Sequence, residues 1–373
     1  MATITGPIDV SALRARLDRA STAAEQAGVD ALLISPGSDL RYLIGAGGDS
    51  FERLTCLALP VGGTPTLVVP KLEQPGYAGI PTDELGVEVV TWVDGEDPYA
   101  LVKAAIKGDR TAVADMMPAL HTIKLGNAIG GQQSLAGPII RELRMRKDAS
   151  EIDALRKAGQ AIDRVHARMG EFLRVGRTER EVAKDIAAAI VEEGHTHADF
   201  VIVGSGPNGA SPHHRDSDRV VEAGDVVVID IGGPVAEGYN SDSTRVYVMG
   251  EPKHDDVWDT YAVLQAAQKA AVEAVQPGVT CEQIDAVART VIADAGFGEF
   301  FVHRTGHGIG LDVHEEPYIV SGNALPLEAG MAFSVEPGIY LPGRWGARIE
   351  DIVVATENGV ESFNNRPHEL VVL

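Results

Sequence analysis

The sequence predicts an α/β protein of two domains, the second built on an internal duplication, and three observations lead there. The chain has 373 residues, more than one ordinary domain holds, so two domains is the natural expectation. Its first part alternates helix-like and strand-like segments. Its second part contains two 19-residue stretches of one pattern, Gly176 to Gly194 and Gly278 to Gly296, offset by 102 positions.

In the first part, Ala12 to Ala27 reads as helix. "DALLISP", "LTCLALPV", "TPTLVVP" and "VEVVTWV" are short runs rich in Val, Leu and Thr, closed by Gly, Pro or Asp, as strands are. Pro98 to Lys107 predicts another helix and "TAVADMM" another strand. "GSDLRYLIGAGG" reads as a loop with two apolar residues, Tyr42 and Leu43, inside it. The basic cluster Arg141, Arg144, Arg146 and Lys147 opens a helical pattern and reads as a solvated linker face. The character changes at Asp148, giving domains 1–147 and 148–373, and the first gathers no ligand-type residues.

The second part opens with Ser150 before a long helix, Glu151 to Phe172. Each 19-residue stretch begins with a capping box, Thr178 with Glu181 and Thr280 with Gln283, and each stops at a glycine. Each follows a longer helix, the second being Val257 to Val275, and precedes strands. The reading is a duplicated helix–helix–sheet unit. The strands are "DVVVID" and "TRVYVMG" in the first half, "MAFSVEP" and "ARIEDIVVAT" in the second. Two such halves enclose a cleft lined by strand side chains.

Composition narrows the function. Hydrophobic residues at 45% and charged residues at 23% are the balance of a globular protein. A formal charge of −22 repels phosphates and argues against nucleic acid. The longest uncharged stretch, Leu54 to Pro70, is too short for a bilayer and is broken by Gly62, Gly63 and Pro65, so no membrane partner is expected. The N-terminus shows no apolar signal segment. Cys56 and Cys281 lie far apart without metal or redox spacing, which suits a reducing, cytoplasmic setting.

The chemistry sits on the later strands. Asp230 ends an apolar strand, and Asp242 enters the next after a turn containing Gly232, Gly233, Pro234 and Gly238. A hairpin brings both acids into one space. Glu336 ends an apolar strand before Pro337 and Gly338, and Glu350 lies in a strand with Arg348 on the same face. Four acids on apolar strands are costly to bury alone, and a pair of divalent cations is one sufficient compensation. Five of the eleven histidines fall in "SPHHRDSD" and "FVHRTGHGIGLDVHEEP": His213 and His214, then His303, His307 and His314. Gly306, Gly308 and Gly310 rule out a helical zinc site but let the backbone approach a ligand closely. "VGSGPNG" matches a dinucleotide fingerprint, yet no helix follows it, so its glycines shape a loop that presents His213.

With these residues assembled, the C-terminal half resembles the pita-bread metallopeptidases, the family of prolidase, aminopeptidase P and methionine aminopeptidase. The matching segments are "VVIDIGGPVAEGYNSDSTR", "HRTGHGIGLDVHEEP", "FSVEPGIYLPG" and "ARIED". The N-terminal half is similar to the creatinase/prolidase N-terminal domain, with "SDLRYLIG" as its weaker signature, and this favours prolidase or aminopeptidase P. The resemblance implies two metal ions held by Asp230, Asp242, His307, Glu336 and Glu350, with Asp242 and Glu350 bridging. It implies that Glu336 also shuttles a proton and that His213, His303 and His314 face the substrate. Tyr340 and Arg348 match supporting residues. Of the doublet, His213 is chosen because it follows Pro212, with His214 the alternative. A homodimer is implied as well.

Four carboxylates and one imidazole make a hard site, suited to manganese, with cobalt or zinc as alternatives. Two ions roughly 3.5–4 Å apart lower the pKa of a shared water towards about 7, giving hydroxide at neutral pH. The expected activity is therefore hydrolysis of short peptides with proline at the second position, as an Xaa-Pro dipeptidase. The alternatives are aminopeptidase P acting on longer peptides, a metal-free hydrolase such as creatinase, or a non-catalytic binding protein. The complete ligand set opposes the last two.

Overall fold

The computed structural model describes residues 9–48, 52–215 and 217–373. The first eight residues, on which the reading of the N-terminus partly rests, lie outside them. The chain divides into two compact units, Met1–Arg144 and Met145–Leu373.

The first unit is built on a six-stranded mixed sheet. Its strands run, in spatial order, Glu88–Trp92, Thr66–Pro70, Cys56–Pro60, Ala31–Ile34, Arg110–Val113 and Gln132–Leu135. The three strands Ala31–Ile34, Cys56–Pro60 and Thr66–Pro70 are buried along their whole length. Both faces are covered, which is why their sequences are continuous apolar runs without alternation. "SDLRYLIG" departs from the loop expectation: Ser38–Ile44 is a helix between Gly37 and a left-handed Gly45. Its Leu40, Tyr42, Leu43 and Ile44 are buried. Seven residues are too few for a helical period to show in the sequence. The basic cluster also departs from expectation. Arg144 pairs with Asp39 at 2.7 Å in the first unit. In the second, Arg146 pairs with Glu328 and the fully buried Lys147 with Glu315, each at 2.7 Å.

The second unit opens on helix Ala149–Ala167, capped by Asp148 with Glu151 in a capping box. The expected single helix to Phe172 is interrupted at Arg168, and Met169–Phe172 forms a separate turn. Helices Glu179–Glu192, Val257–Glu273 and Cys281–Asp294 follow the expected pattern. Both capping boxes form, Thr178 with Glu181 and Thr280 with Gln283.

The duplication extends beyond the helices. Gly176 N donates to Val221 O, and Glu179 N to Arg219 O. In the second half Gly278 N donates to Leu327 O, and Cys281 N to Leu325 O. The same backbone contacts therefore recur at matching positions of each helix start. In the first half, Ile162, Val182, Ile186 and Ile190 pack with Val227, Ile229 and Ile231. In the second, Leu264, Ile284 and Ala288 pack with Phe333, Val335 and Val353. Burying such side chains stabilises each layer by roughly 1.5–3 kcal/mol per residue. This is the pita-bread fold, a helix pair against a sheet, twice.

The first half's sheet is four-stranded: Val371–Val372, Asn240–Val248, Val226–Pro234 and Phe200–Ser205. The second half's is five-stranded: Glu315–Ile319, Gly306–Gly308, Ala332–Val335, Asp351–Thr356 and Gly359–Ser362. A backbone bridge from Thr244 to Glu350 joins the two sheets. Functional side chains gather at that seam.

Candidate metal centre

Strand register explains the meeting of the acids. Asp230 does not end its strand as expected. The strand runs on to Pro234, with Asp230 opposite Thr244 and Gly232 opposite Asp242. Asp230 and Asp242 are thus diagonal neighbours on one face of the hairpin. Thr244 in turn bridges Glu350, so Asp230, Thr244 and Glu350 form one row across three chain segments. Thr244 Oγ1 donates to Glu350 Oε2 at 2.7 Å. The run "ARIEDIVVAT" is two strands, Trp345–Arg348 and Asp351–Thr356, and Glu350 sits at the break.

His307 is placed by its glycines. It lies in the middle of the three-residue strand Gly306–Gly308, between Glu315–Ile319 and Ala332–Val335. A methyl group on Gly306 would overlap the Ser334 carbonyl, and one on Gly308 the Glu316 carbonyl. Only glycine lets the strand fit. His307 Nδ1 donates to Gly308 O at 3.0 Å, which turns Nε2 towards the acids. That Nε2 is 3.2 Å from Glu336 Oε1 and 3.5 Å from Asp242 Oδ2. Glu336 follows strand Ala332–Val335, and its Oε1 accepts from Ser334 Oγ at 3.1 Å.

Three ligand groups result, each with donor atoms within 4.8 Å of one another: Asp230 with Asp242 and Glu350, His307 with Glu336 and Glu350, and Asp242 with His307 and His314. Asp230 Oδ1 is buried without a hydrogen-bond partner among the described residues. A buried anionic oxygen left unmatched calls for a cation. This donor set fits hard divalent ions, and the five residues named from the sequence stand together.

Electrostatics point the same way. Burial, then repulsion by Glu350, Asp230 and Glu336, drives the Asp242 carboxyl well above its usual range. Glu350 is raised well above its own by burial, then by Glu336 and Asp230. Glu336 is the exception. Burial alone would raise it, but the hydrogen bond and charge of His307, with His303 and Arg348, bring it down to about 2. Such a cluster cannot ionise fully without added positive charge.

Arg348 is buried and touches Asp230 through Nη2 and Tyr340 Oη through Nη1, the latter at 2.7 Å. Its Nε donates to Thr244 Oγ1 at 3.1 Å. Tyr340 Oη also meets His303 Nε2 at 2.7 Å, and burial pushes this phenol up to about 12. Arg348, Tyr340 and His303 therefore form one chain beside the acids.

The site opens into a cavity of about 660 Å³. Its floor carries the five candidate ligands and Arg348, and its walls carry His213, His303 and His314. His314 packs on His307 at 3.9 Å between ring centroids. Burial, followed by the charge of His307, lowers it to about 4. His303 is lowered by burial. Of the doublet, His213 lines the cavity, while His214 Nε2 turns to Glu179 Oε2 at 2.7 Å. Strand Phe200–Ser205 and a 3-10 turn, Gly206–Ala210, lead into that loop, with no helix after the glycines.

Several residues escaped the sequence reading. Phe200, Ile202 and Val313 give the cavity apolar wall, and Arg304 lines it while lying over the Tyr318 ring at 4.3 Å. Thr244 and Ser334 fix the two glutamates. Single polar or apolar residues on strands carry no signal of their own. Ser334 alone had a hint, two positions before Glu336 on the same face.

A duplicated fold enclosing two carboxylate-rich ligand groups in a cavity defines a metallopeptidase, and the chain belongs to metallopeptidase family M24. Residues 153–357 match that family, and residues 16–146 match the creatinase/prolidase N-terminal domain. The chain is 59% identical over 367 residues, 98% of each chain, to the probable dipeptidase PepE of Mycobacterium tuberculosis. It is 36% identical to the Xaa-Pro dipeptidase of Lactobacillus delbrueckii subsp. lactis, covering 96% of this chain and 98% of that one. Among solved structures, dipeptidase PepE from Mycobacterium ulcerans superposes with a TM-score of 0.94 at 61% identity, covering 98% and 99% of the two chains. The protein is thus a hydrolase of peptides that binds divalent metal. No helix among the described residues is long and apolar enough to cross a membrane.

Proposed function

We propose that the protein is a dipeptidase that cleaves Xaa-Pro dipeptides with two manganese ions. The observation that carries this is the convergence of four buried carboxylates and His307 at the floor of one cavity. Asp230, Asp242, His307, Glu336 and Glu350 would hold the ions, and hard oxygen donors favour manganese over zinc or cobalt. Bound there, the ions supply Lewis-acid polarisation and lower the pKa of water towards about 7.

The chain's own residues do the rest. Glu336, held ionised beside His307, takes the proton of the attacking water and returns it to the leaving nitrogen. His314, neutral at working pH because burial lowers it to about 4, donates a hydrogen bond to the developing oxyanion. A prolyl nitrogen offers no N–H, so His213 addresses the substrate's carbonyl and carboxylate oxygens, with His303 beside it at the cavity wall, held by Tyr340 and Arg304 O. Arg348 pairs with Asp230 and holds Tyr340 against His303. The names of the Mycobacterium and Lactobacillus relatives support a dipeptide substrate. A homodimer, carried by the family resemblance and checked by light scattering of the purified protein, completes this reading, and the cysteine usage supports a cytoplasmic setting.

The test is hydrolysis of Xaa-Pro and Xaa-Pro-Yaa by chelated protein, before and after adding manganese. Manganese-dependent cleavage of the dipeptide is expected. Cleavage mainly of the tripeptide would move the assignment to an aminopeptidase. Cleavage of neither would overturn it.

A further inference from the structure

We infer that Glu179 and His214 form a clamp that fixes His213 at the cavity wall, making Glu179 a positioning residue for substrate binding. The inference rests on the peptidase reading above and adds residues which that reading leaves without a task.

Glu179 opens helix Glu179–Glu192 and is fully buried. Its carboxylate accepts hydrogen bonds from Ser205 N at 2.8 Å, Ser205 Oγ at 2.7 Å and Asn208 Nδ2 at 3.0 Å. It also accepts from His214 Nε2 and Ser217 Oγ, each at 2.7 Å. The donors come from the start, the middle and the far side of the segment that carries His213. One buried anion therefore ties that segment together at four residues. Burial would raise this carboxyl, but the bonds from Ser217, Ser205 and His214 more than offset it and hold it ionised.

His213 has the opposite character. It is exposed, lines the cavity, and makes no hydrogen bond of its own among the described residues. Its position depends on its backbone. The backbone is fixed one residue later, where His214 N donates to Ser211 O at 3.1 Å and the His214 ring reaches Glu179. Adjacent histidines thus divide the work, one gripped by the scaffold and one offered to the substrate. An imidazole placed in advance binds without first losing conformational freedom.

The experiment is a double-mutant cycle on the manganese-loaded full chain with an Xaa-Pro dipeptide. H214A is expected to raise KM about tenfold with little change in kcat, as loss of a supporting contact does. Manganese affinity, read by calorimetry, should stay at the wild-type value. H214Q, which keeps an N–H donor, should recover to within about threefold of wild type. H213A/H214A should be no worse than H213A alone, because His214 acts through His213. E179A should behave as H214A does, and H214A carries the test should E179A fail to fold. Losses that multiply in the double variant, or a fall in manganese affinity, would overturn the clamp. So would an unchanged H214A. If wild type cuts no dipeptide, the peptidase reading fails separately. The clamp is then decided by trypsin cleavage after Arg215, faster in H214A if it exists and unchanged if it does not.

Discussion

In the first half of the second unit, helix Glu179–Glu192 stands over a four-stranded sheet. In the other half, Cys281–Asp294 stands over a five-stranded one. Both helices start with a threonine capping box and both tie their first turn to a passing segment by the same backbone bonds. Both also hold a loop that carries a cavity histidine. Glu179 grips the His213 loop. Asp285 accepts from Thr305 N and Oγ1 at 3.1 and 2.8 Å, and its ion-pair partner Arg289 donates to His303 O at 2.9 Å. The ligands differ. The first half supplies two aspartates from one hairpin, and the second supplies His307, Glu336 and Glu350 from separate segments. Duplication kept the frame and the loop anchors, while the chemistry at the seam diverged. A frame is set by packing and capping that both halves need, whereas a site needs only one complete set of ligands.

The largest effect should come from breaking the seam. D242N is expected to lower hydrolysis by more than about a thousandfold. The chelated variant should nevertheless melt above chelated wild type, since repulsion with Glu350, Asp230 and Glu336 is relieved. Calorimetry of both proteins in chelator reads the sign. A lower melting point would mean that the acids are not in conflict.

Next, E336Q should lower kcat by about 10²–10⁴-fold, the range of a lost proton-transfer group. Steady-state kinetics separate the terms, and a rise in KM that accounts for the loss would make Glu336 a binding group only.

A smaller effect distinguishes the halves by pH. His166 lies in the first half's core, bonded to Tyr247 Oη and Ser243 O, and burial followed by the charge of Arg245 lowers it to about 3. The unfolded side chain titrates near 6.5. Its contribution is therefore complete above about pH 6.5 and is lost as pH falls towards 3, at up to about 1.4 kcal/mol per pH unit. Urea unfolding of H166Q at several pH values should show a correspondingly shallower acid slope. A slope equal to wild type would place the acid sensitivity elsewhere.

The smallest effect tests the equivalence of the frames. T178A and T280A should each cost about 1 kcal/mol, by loss of the cap. Denaturant melts giving values that differ by more than about 1 kcal/mol would show that the two helix starts do not carry equal weight.

Much of this was legible in the amino-acid sequence. The fold class, most of the strands, the two capping boxes and the five candidate ligands follow from local pattern or from motif resemblance. Capping and strand formation depend on neighbours a few residues away, so their signals lie in short windows. The helix Ser38–Ile44 was not legible, because seven residues show no period. Nor was the burial of Lys147, because its partner Glu315 is far along the chain.

By itself the sequence determined which residues could bind metal and that the frame was duplicated. Only tertiary structure decided how they meet. The Asp230–Thr244–Glu350 row needs strand register across two sheets, and the seat of His307 needs two carbonyls passing close to Gly306 and Gly308. The choice between His213 and His214 needed Glu179, some 35 residues earlier, to claim one of them. Contacts between segments distant in sequence are set by packing geometry, and no local pattern encodes which of two adjacent imidazoles a buried carboxylate will reach.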